Sequence, residues 1–322
     1  MRQISHKNYK LHLLCFLISA ALALPLVAAN EKPSLYFTIS LIWTGSHLHS
    51  HNIEALQDLR KKHPKIRFHH LVSPAYFVSQ NAKKNRDIIM SLIQRDDQVG
   101  IYIAPWRSIV EKSKTLFRVS PSFWGPKEDG CHTDCGNSVP LTIYQEDDIK
   151  RIFKTSLDIL KTSGLPVGQS YAVSGWQHSA DIVSAAATLG LKFDFSPIPP
   201  SRIERRLHHF PIFSWTFENW QQFEKFPYPM QSPTDSHVIF IPQNGGVVDY
   251  NTSNELVSYF QETINTKLEA KSLYNLVIHQ ETAATFLPRL HATLQALKDL
   301  AEKNAITLTF DWLSYRNRIE SH

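Results

Sequence analysis

The sequence predicts an α/β fold, a distorted (β/α) barrel of about seven parallel strands. Two observations carry this. After residue 30, apolar strand-like runs alternate with helical patterns long enough to cross between parallel strands. Seven or eight such units fit into one domain of about 290 residues, and no internal repeat or low-complexity linker divides them.

The elements follow in order. SLYFTISLIW (34–43) is a β-rich apolar run. NIEALQDLRKKHP has apolar residues at helical spacing and stops at Pro64, with Asn52 a natural N-cap. IRFHHLVSPAYF reads as a strand, KKNRDIIMSLIQRDD as an amphipathic helix, and VGIYIAPW as a third strand bounded by Gly100 and Pro105. A loop spans about 119 to 140. EDDIKRIFKTSLDILKTSG then opens with acids in its first turn and closes on Gly164, both helix signals. SYAVSG is a short strand, and SADIVSAAATLGL is a small-residue helix suited to close packing on a sheet. FDFSPIP, HVIFIPQ, NELVSYFQETINTKLEA and LYNLVIHQ continue the alternation, and RLHATLQALKDLAEKN and ITLTFDWLSY close the chain.

The N-terminus reads as an export signal rather than part of the fold. Arg2, Lys7 and Lys10 precede the apolar run LHLLCFLISAALALPLV, and Val27-Ala28-Ala29 supplies small residues for cleavage. The predicted division is a signal peptide over 1–29 and a single barrel domain over 30–322. An uncleaved anchor is the alternative, since the run is near the minimum length for a span; cleavage leaves no stable membrane span and a secreted or periplasmic protein. Three basic residues and no acids leave with the signal, lowering the formal charge from +5 to +2. So weak a field argues against a nucleic-acid partner. Cys131 and Cys135, in GCHTDCG, are expected to form a disulfide in an oxidising compartment. Its short loop is worth roughly 2 kcal/mol. No dinucleotide or phosphate-loop motif implies an organic cofactor.

Ligands of βα barrels sit at the C-terminal ends of the strands. The positions to inspect are therefore Trp43 to His51, Tyr102 to Arg107, Ser174 to His178 and His279 to Glu281. In this order they resemble the motifs of the polysaccharide deacetylase family of carbohydrate esterases, across about residues 35 to 315. The resemblance is carried by VGIYIAPWRSIV, CGNSVPLTIY, SYAVSGWQHSADIVSAAATLGLKFDFSP and LVIHQE. It implies a distorted, often seven-stranded βα barrel, a divalent metal that is usually zinc, and removal of acetyl groups from amino sugars. In that family one aspartate acts as base on metal-bound water, a second aspartate and two histidines hold the metal, and a late histidine protonates the leaving amine.

This chain departs from the pattern at most of those positions. Trp43-Thr44 stand where paired aspartates should, Tyr102, Ala104 and Trp106 where histidines should, and Val173-Ser174 precede Gly175-Trp176 where an arginine often lies. His279 matches, as catalytic acid, with Glu281 placed to orient its ring. Two readings follow. Either the barrel has lost its metal and survives as a glycan-binding protein, or the zinc ligands have moved to His47, His49 and His51, with His178 nearby. The outer two rings of HxHxH on an extended strand would lie roughly 13 Å apart, too far for one ion. Only neighbours in the series could chelate together.

The aromatic residues Trp43, Trp106, Trp124 and Trp176, with Tyr102, fit a sugar-binding wall, and Arg107 and Gln177 offer donors beside them. The expected partner is a polysaccharide or a peptidoglycan-type glycan. The basic cluster RIERRLHHF (202–210) is read as a solvated charge run, with an anionic polymer as the alternative. A metal-free glycosidase would need two carboxylates about 5–10 Å apart at the barrel mouth, of which Glu281 is the clearest candidate.

Overall fold

SLYFTISLIW becomes the central strand, β1 (Ser34–Trp43), buried along nearly its whole length as a parallel strand covered on both faces must be. The computed structural model describes residues 32–45, 47–123, 134–225 and 228–321. The signal segment, Trp124, Cys131 and His132 lie outside them. Ser34–His322 group as one unit.

The further strands are β2 (Phe68–Val72), β3 (Gln98–Ile103), β4 (Ser170–Val173), β5 (Phe193–Asp194), β6 (Met230–Gln231), β7 (Ile239–Phe240), β8 (Leu273–His279) and β9 (Thr307–Thr309). Their order is β6-β7-β5-β4-β3-β2-β1-β8, with β9 beside β1. Every pairing is parallel except β6 with β7. Setting aside β6 and β9, the described residues give a path of seven parallel strands, as the alternation predicts.

The ring closes irregularly. Pro242 ends β7 because it has no N–H for a ladder. Just beyond it, the Asn244 side chain takes over the backbone's role: Nδ2 donates to the Leu273 carbonyl (2.7 Å) and Oδ1 accepts from the Asn275 N–H (3.0 Å). The Val248 N–H then donates to the Val277 carbonyl (2.8 Å), and the Val277 N–H to the Gly246 carbonyl (3.0 Å). The segment 244–248 thereby joins β7 to β8 and carries the residues after it to the barrel mouth.

The helices are α1 (Ser50–Lys62), α2 (Ala82–Leu92), α3 (Arg107–Lys112), α4 (Glu146–Thr162), α5 (Ala180–Thr188), α6 (Pro211–Trp220), α7 (Ser253–Asn265), α8 (Ala283–Lys303) and α9 (Trp312–Glu320), besides single helical turns at Glu204–Leu207 and Gln222–Lys225. α4 buries Ile149, Ile152, Phe153 and Leu160 at helical spacing. α7 starts with a capping box of Thr252 and Glu255. The position before α1 is His49, not Asn52. Asn52 lies inside α1, where its side chain reaches across instead, accepting from the Ala284 N–H (2.9 Å) and donating to the Glu281 carbonyl (2.7 Å). It therefore serves the start of α8. No helix of the described residues is long and apolar enough to cross a membrane.

Inside the barrel, Ser40 donates to Asn275 Oδ1 (2.8 Å). At the N-terminal ends of the strands, Trp312 of α9 fills the base. Its ring lies 5.1 Å edge-on from His69, 5.2 Å from Phe193 and 6.0 Å from Tyr36. Burial pushes His69 down to about 3, so it packs as a neutral ring. Outside the barrel, under α1, lies a buried polar network. Arg60 pairs with Asp97, Asp97 accepts from the Phe68 N–H (2.9 Å), and His70 contacts Asp97 (3.2 Å) and Trp43 Nε1 (3.2 Å).

Candidate functional site

The C-terminal strand ends meet around a cavity of about 380 Å³. Thr44 comes from the end of β1, Tyr102 and Ala104 from β3, Ser174 to Trp176 from β4, Asp249 and Tyr250 from the segment after β7, and His279, Glu281 and Thr282 from β8 and the turn after it. Phe123, Phe213 and Phe286 complete its apolar walls. A smaller void beneath it is bordered by Ile42, Tyr102, Trp176 and His279.

The turn after β4 is strained. Gly175 has φ 67°, and a Cβ there would come within 2.2 Å of the Phe123 ring. Trp176 also has positive φ, 54°, a conformation that costs a bulky residue energy and persists only where its surroundings over-determine it. They do: Trp176 Nε1 donates to Gln243 (2.8 Å), and its carbonyl accepts from Trp220 Nε1 (2.7 Å). The indole is thereby fixed against the cavity.

The polar floor is built around His279. Its Nδ1 lies 3.0 Å from Asp249 Oδ2, and its backbone N–H donates to the same oxygen (3.2 Å). The Thr282 hydroxyl donates to Asp249 Oδ1. Burial works against the charged ring. The charge and hydrogen bond of Asp249, with Glu281 beyond, outweigh it and raise the His279 pKa above the ordinary histidine value. Burial likewise opposes ionisation of Asp249, but His279 and Thr282 hold its pKa below the usual carboxylate range.

Glu281 is anchored separately. Its Oε1 accepts from the Thr44 N–H (3.0 Å), the Thr44 hydroxyl (2.8 Å) and the Tyr76 hydroxyl (2.6 Å). Its Oε2 is buried without a hydrogen-bond partner among the described residues. Burial first, and Glu281 second, push the Tyr102 and Tyr76 phenols up; burial and Asp249 raise Tyr250 to about 12.

Of the residues singled out in the sequence, the structure brings Tyr102, Trp176, His279 and Glu281 together. Trp43 is corrected: it is fully buried on the opposite face of β1, against His70 and Tyr76, because successive strand residues face opposite sides. Trp106 is a support rather than a wall, its Nε1 donating to the Thr44 carbonyl (2.8 Å). Arg107 faces outward and pairs with Glu111 (2.7 Å). Gln177 is buried with its amide on the 141–142 turn. His178 packs on Trp220 and Phe240, and burial lowers it to about 4. In the basic cluster, Arg202 pairs with Glu262 and Arg205 with Glu255. Asp249 was not anticipated. Its signal is GGVVDY, a short β-branched run ending in an acid, hidden because Pro242 closes the strand expected at HVIFIPQ.

The donor set does not fit a metal. His47, His49 and His51 are exposed, with successive ring centroids 5.7 and 5.4 Å apart, and they do not line the cavity. His279 and Asp249 are engaged with each other. Among the described residues no group of three or more His, Cys, Asp or Glu side chains is placed to hold an ion.

No protein-family model and no curated protein matches the sequence. Solved structures do. A Mycobacterium smegmatis protein named as a candidate polysaccharide deacetylase superposes with TM-score 0.53 at 9% identity, over 92% of this chain and 94% of its own. The fold is that of the polysaccharide deacetylases. This deacetylase fold also superposes on the 4-alpha-glucanotransferase of Thermococcus litoralis, with TM-score 0.50 and 10% identity, over 88% of this chain and 40% of that one. A family 4 carbohydrate esterase from Streptomyces lividans, solved with acetate, gives TM-score 0.40 at 8% identity, over 86% and 92% of the two chains.

Proposed function

We propose that the protein is an exported glycan-binding member of the polysaccharide deacetylase superfamily that has lost the metal chemistry. The observation that supports this most is the composition of the barrel mouth. The cavity keeps aromatic walls in Tyr102, Trp176 and Tyr250, while Thr44 and Ala104 stand at positions that supply metal donors in the resembling family. Aromatic faces stack on the C–H faces of sugars, and the few polar groups select orientation. The glycan is a cell-envelope or extracellular polysaccharide, peptidoglycan included. The signal peptide over 1–29 and a Cys131–Cys135 disulfide belong to this reading.

One observation favours a second reading, an active carbohydrate deacetylase. The Asp249–His279 pair is oriented as a proton donor to a leaving amine would be, and Asp249 favours the protonated ring. It lacks a suitable arrangement for a metal-activated water among the described residues. A single set of measurements separates the readings: metal content after purification with zinc, acetate release from acetylated chitooligosaccharide or peptidoglycan, and equilibrium binding of the same sugars. Sugar binding with neither metal nor acetate is expected. Stoichiometric zinc, together with acetate release that is lost in His279→Ala, would establish the enzyme instead.

A further inference from the structure

We infer that the cavity receives a hexosamine unit with a free amine, an unacetylated residue of a glycan chain, and that Glu281 is the carboxylate partner of its ammonium group. The inference rests on the glycan-binding reading and names the sugar.

The charge of the cavity is the first ground. Two carboxylates, Asp249 and Glu281, and one imidazole, His279, line it; among the described residues no lysine or arginine does. Asp249 is committed to His279 and Thr282. That leaves Glu281 as the uncompensated acid. Its Oε1 is held by Thr44 and Tyr76, while Oε2 has no partner among the described residues.

An independent second ground is Ser174. This cavity-lining residue is only 3% exposed, yet its hydroxyl lacks a hydrogen-bond partner among the described residues. Buried polar atoms are normally paired, so an unpaired hydroxyl on the cavity lining calls for a partner, and a ligand hydroxyl is one. A sugar offers hydroxyls for Ser174 and C–H faces for Trp176 and Tyr250.

The alternatives fit less well. An acetamido group is neutral and offers the Glu281 carboxylate one N–H donor at most. A uronic or other anionic sugar would be repelled. An ammonium supplies a positive charge and up to three donors to a carboxylate.

The test is equilibrium binding of the glucosamine trimer and the N-acetylglucosamine trimer to the full chain, at about pH 6, where a sugar amine, like an α-amino group, is protonated. The glucosamine trimer is expected to bind at least roughly tenfold tighter, and Glu281→Gln to reduce that ratio to about one while retaining the acetylated trimer. Equal binding by the wild type, tighter binding of the acetylated trimer, or a preference that survives Glu281→Gln would overturn the amine assignment and leave glycan binding standing. Binding of neither trimer would overturn both. Should Glu281→Gln fail to fold, the wild-type ratio still decides.

Discussion

His279 and Asp249 show how single residues set the character of the site. A buried imidazole alone would lose its proton more readily; the adjoining carboxylate reverses this. Asp249→Asn removes the charge but keeps the shape. The His279 ring, followed by NMR titration, is expected to shift from a midpoint above about 6.5 to one below it. The pair also links stability to pH. Asp249, whose pKa is lowered, contributes above about pH 4 and loses that contribution as pH falls through its folded pKa. Protonated His279, whose pKa is raised, contributes below about pH 6.5 and loses it as pH rises through its folded pKa. The pair is therefore at full strength between about pH 4 and 6.5. In denaturant unfolding, the stability difference between wild type and Asp249→Asn should be largest in that window and shrink above it. Trp43 behaves differently. Trp43→Ala is expected to cost about 3–5 kcal/mol in unfolding free energy through an unfilled core volume. An equal loss of sugar affinity with unchanged stability would contradict its placement.

Two elements depend on side chains far away in sequence. α8 begins where Asn52 of α1 accepts its Ala284 N–H, and the same amide holds the Glu281 carbonyl. Asn52→Ala should lower stability by about 1–2 kcal/mol, in the range of a lost helix cap. It should also weaken glycan binding, since the turn carrying Glu281 loses its tie. Towards the C-terminal end of α1, Asp97 compensates Arg60 within the core. Asp97→Asn leaves that guanidinium buried with a neutral partner, and unfolding free energy is expected to fall by about 3–5 kcal/mol. A change below about 1 kcal/mol would show that the pair is not buried as described.

At the scale of the whole molecule, the barrel has a plugged base and an open mouth. Trp312 fills the base among His69, Phe193 and Tyr36, while the mouth collects residues from five strand ends. Trp312→Ala should destabilise the fold by about 3–5 kcal/mol. The relative affinity for the two trimers should stay unchanged in the folded fraction, because base and mouth are at opposite ends of the strands. Loss of the preference would mean that the base shapes the cavity.

Much of this was legible along the chain. The alternation of strand and helix, the long first strand and the strand-end location of Tyr102, Trp176, His279 and Glu281 all follow from local patterns, because backbone periodicity and apolar spacing are properties of neighbouring residues. The mutual arrangement of those residues was not. Whether Trp43 faced the mouth or the helices depended on the register of β1 between β2 and β8, and one residue of alternation reverses it. Asp249 entered the site because Asn244 replaced a backbone ladder that Pro242 interrupts, a substitution made by hydrogen bonds about 30 residues away in sequence. The histidine series 47-49-51 carried a metal pattern by spacing, yet tertiary packing placed it outside the cavity. Sequence by itself determined the elements and the chemical types available at the strand ends. Only the tertiary structure decided which of them share a cavity, because that depends on sheet register and ring closure, which no local stretch encodes.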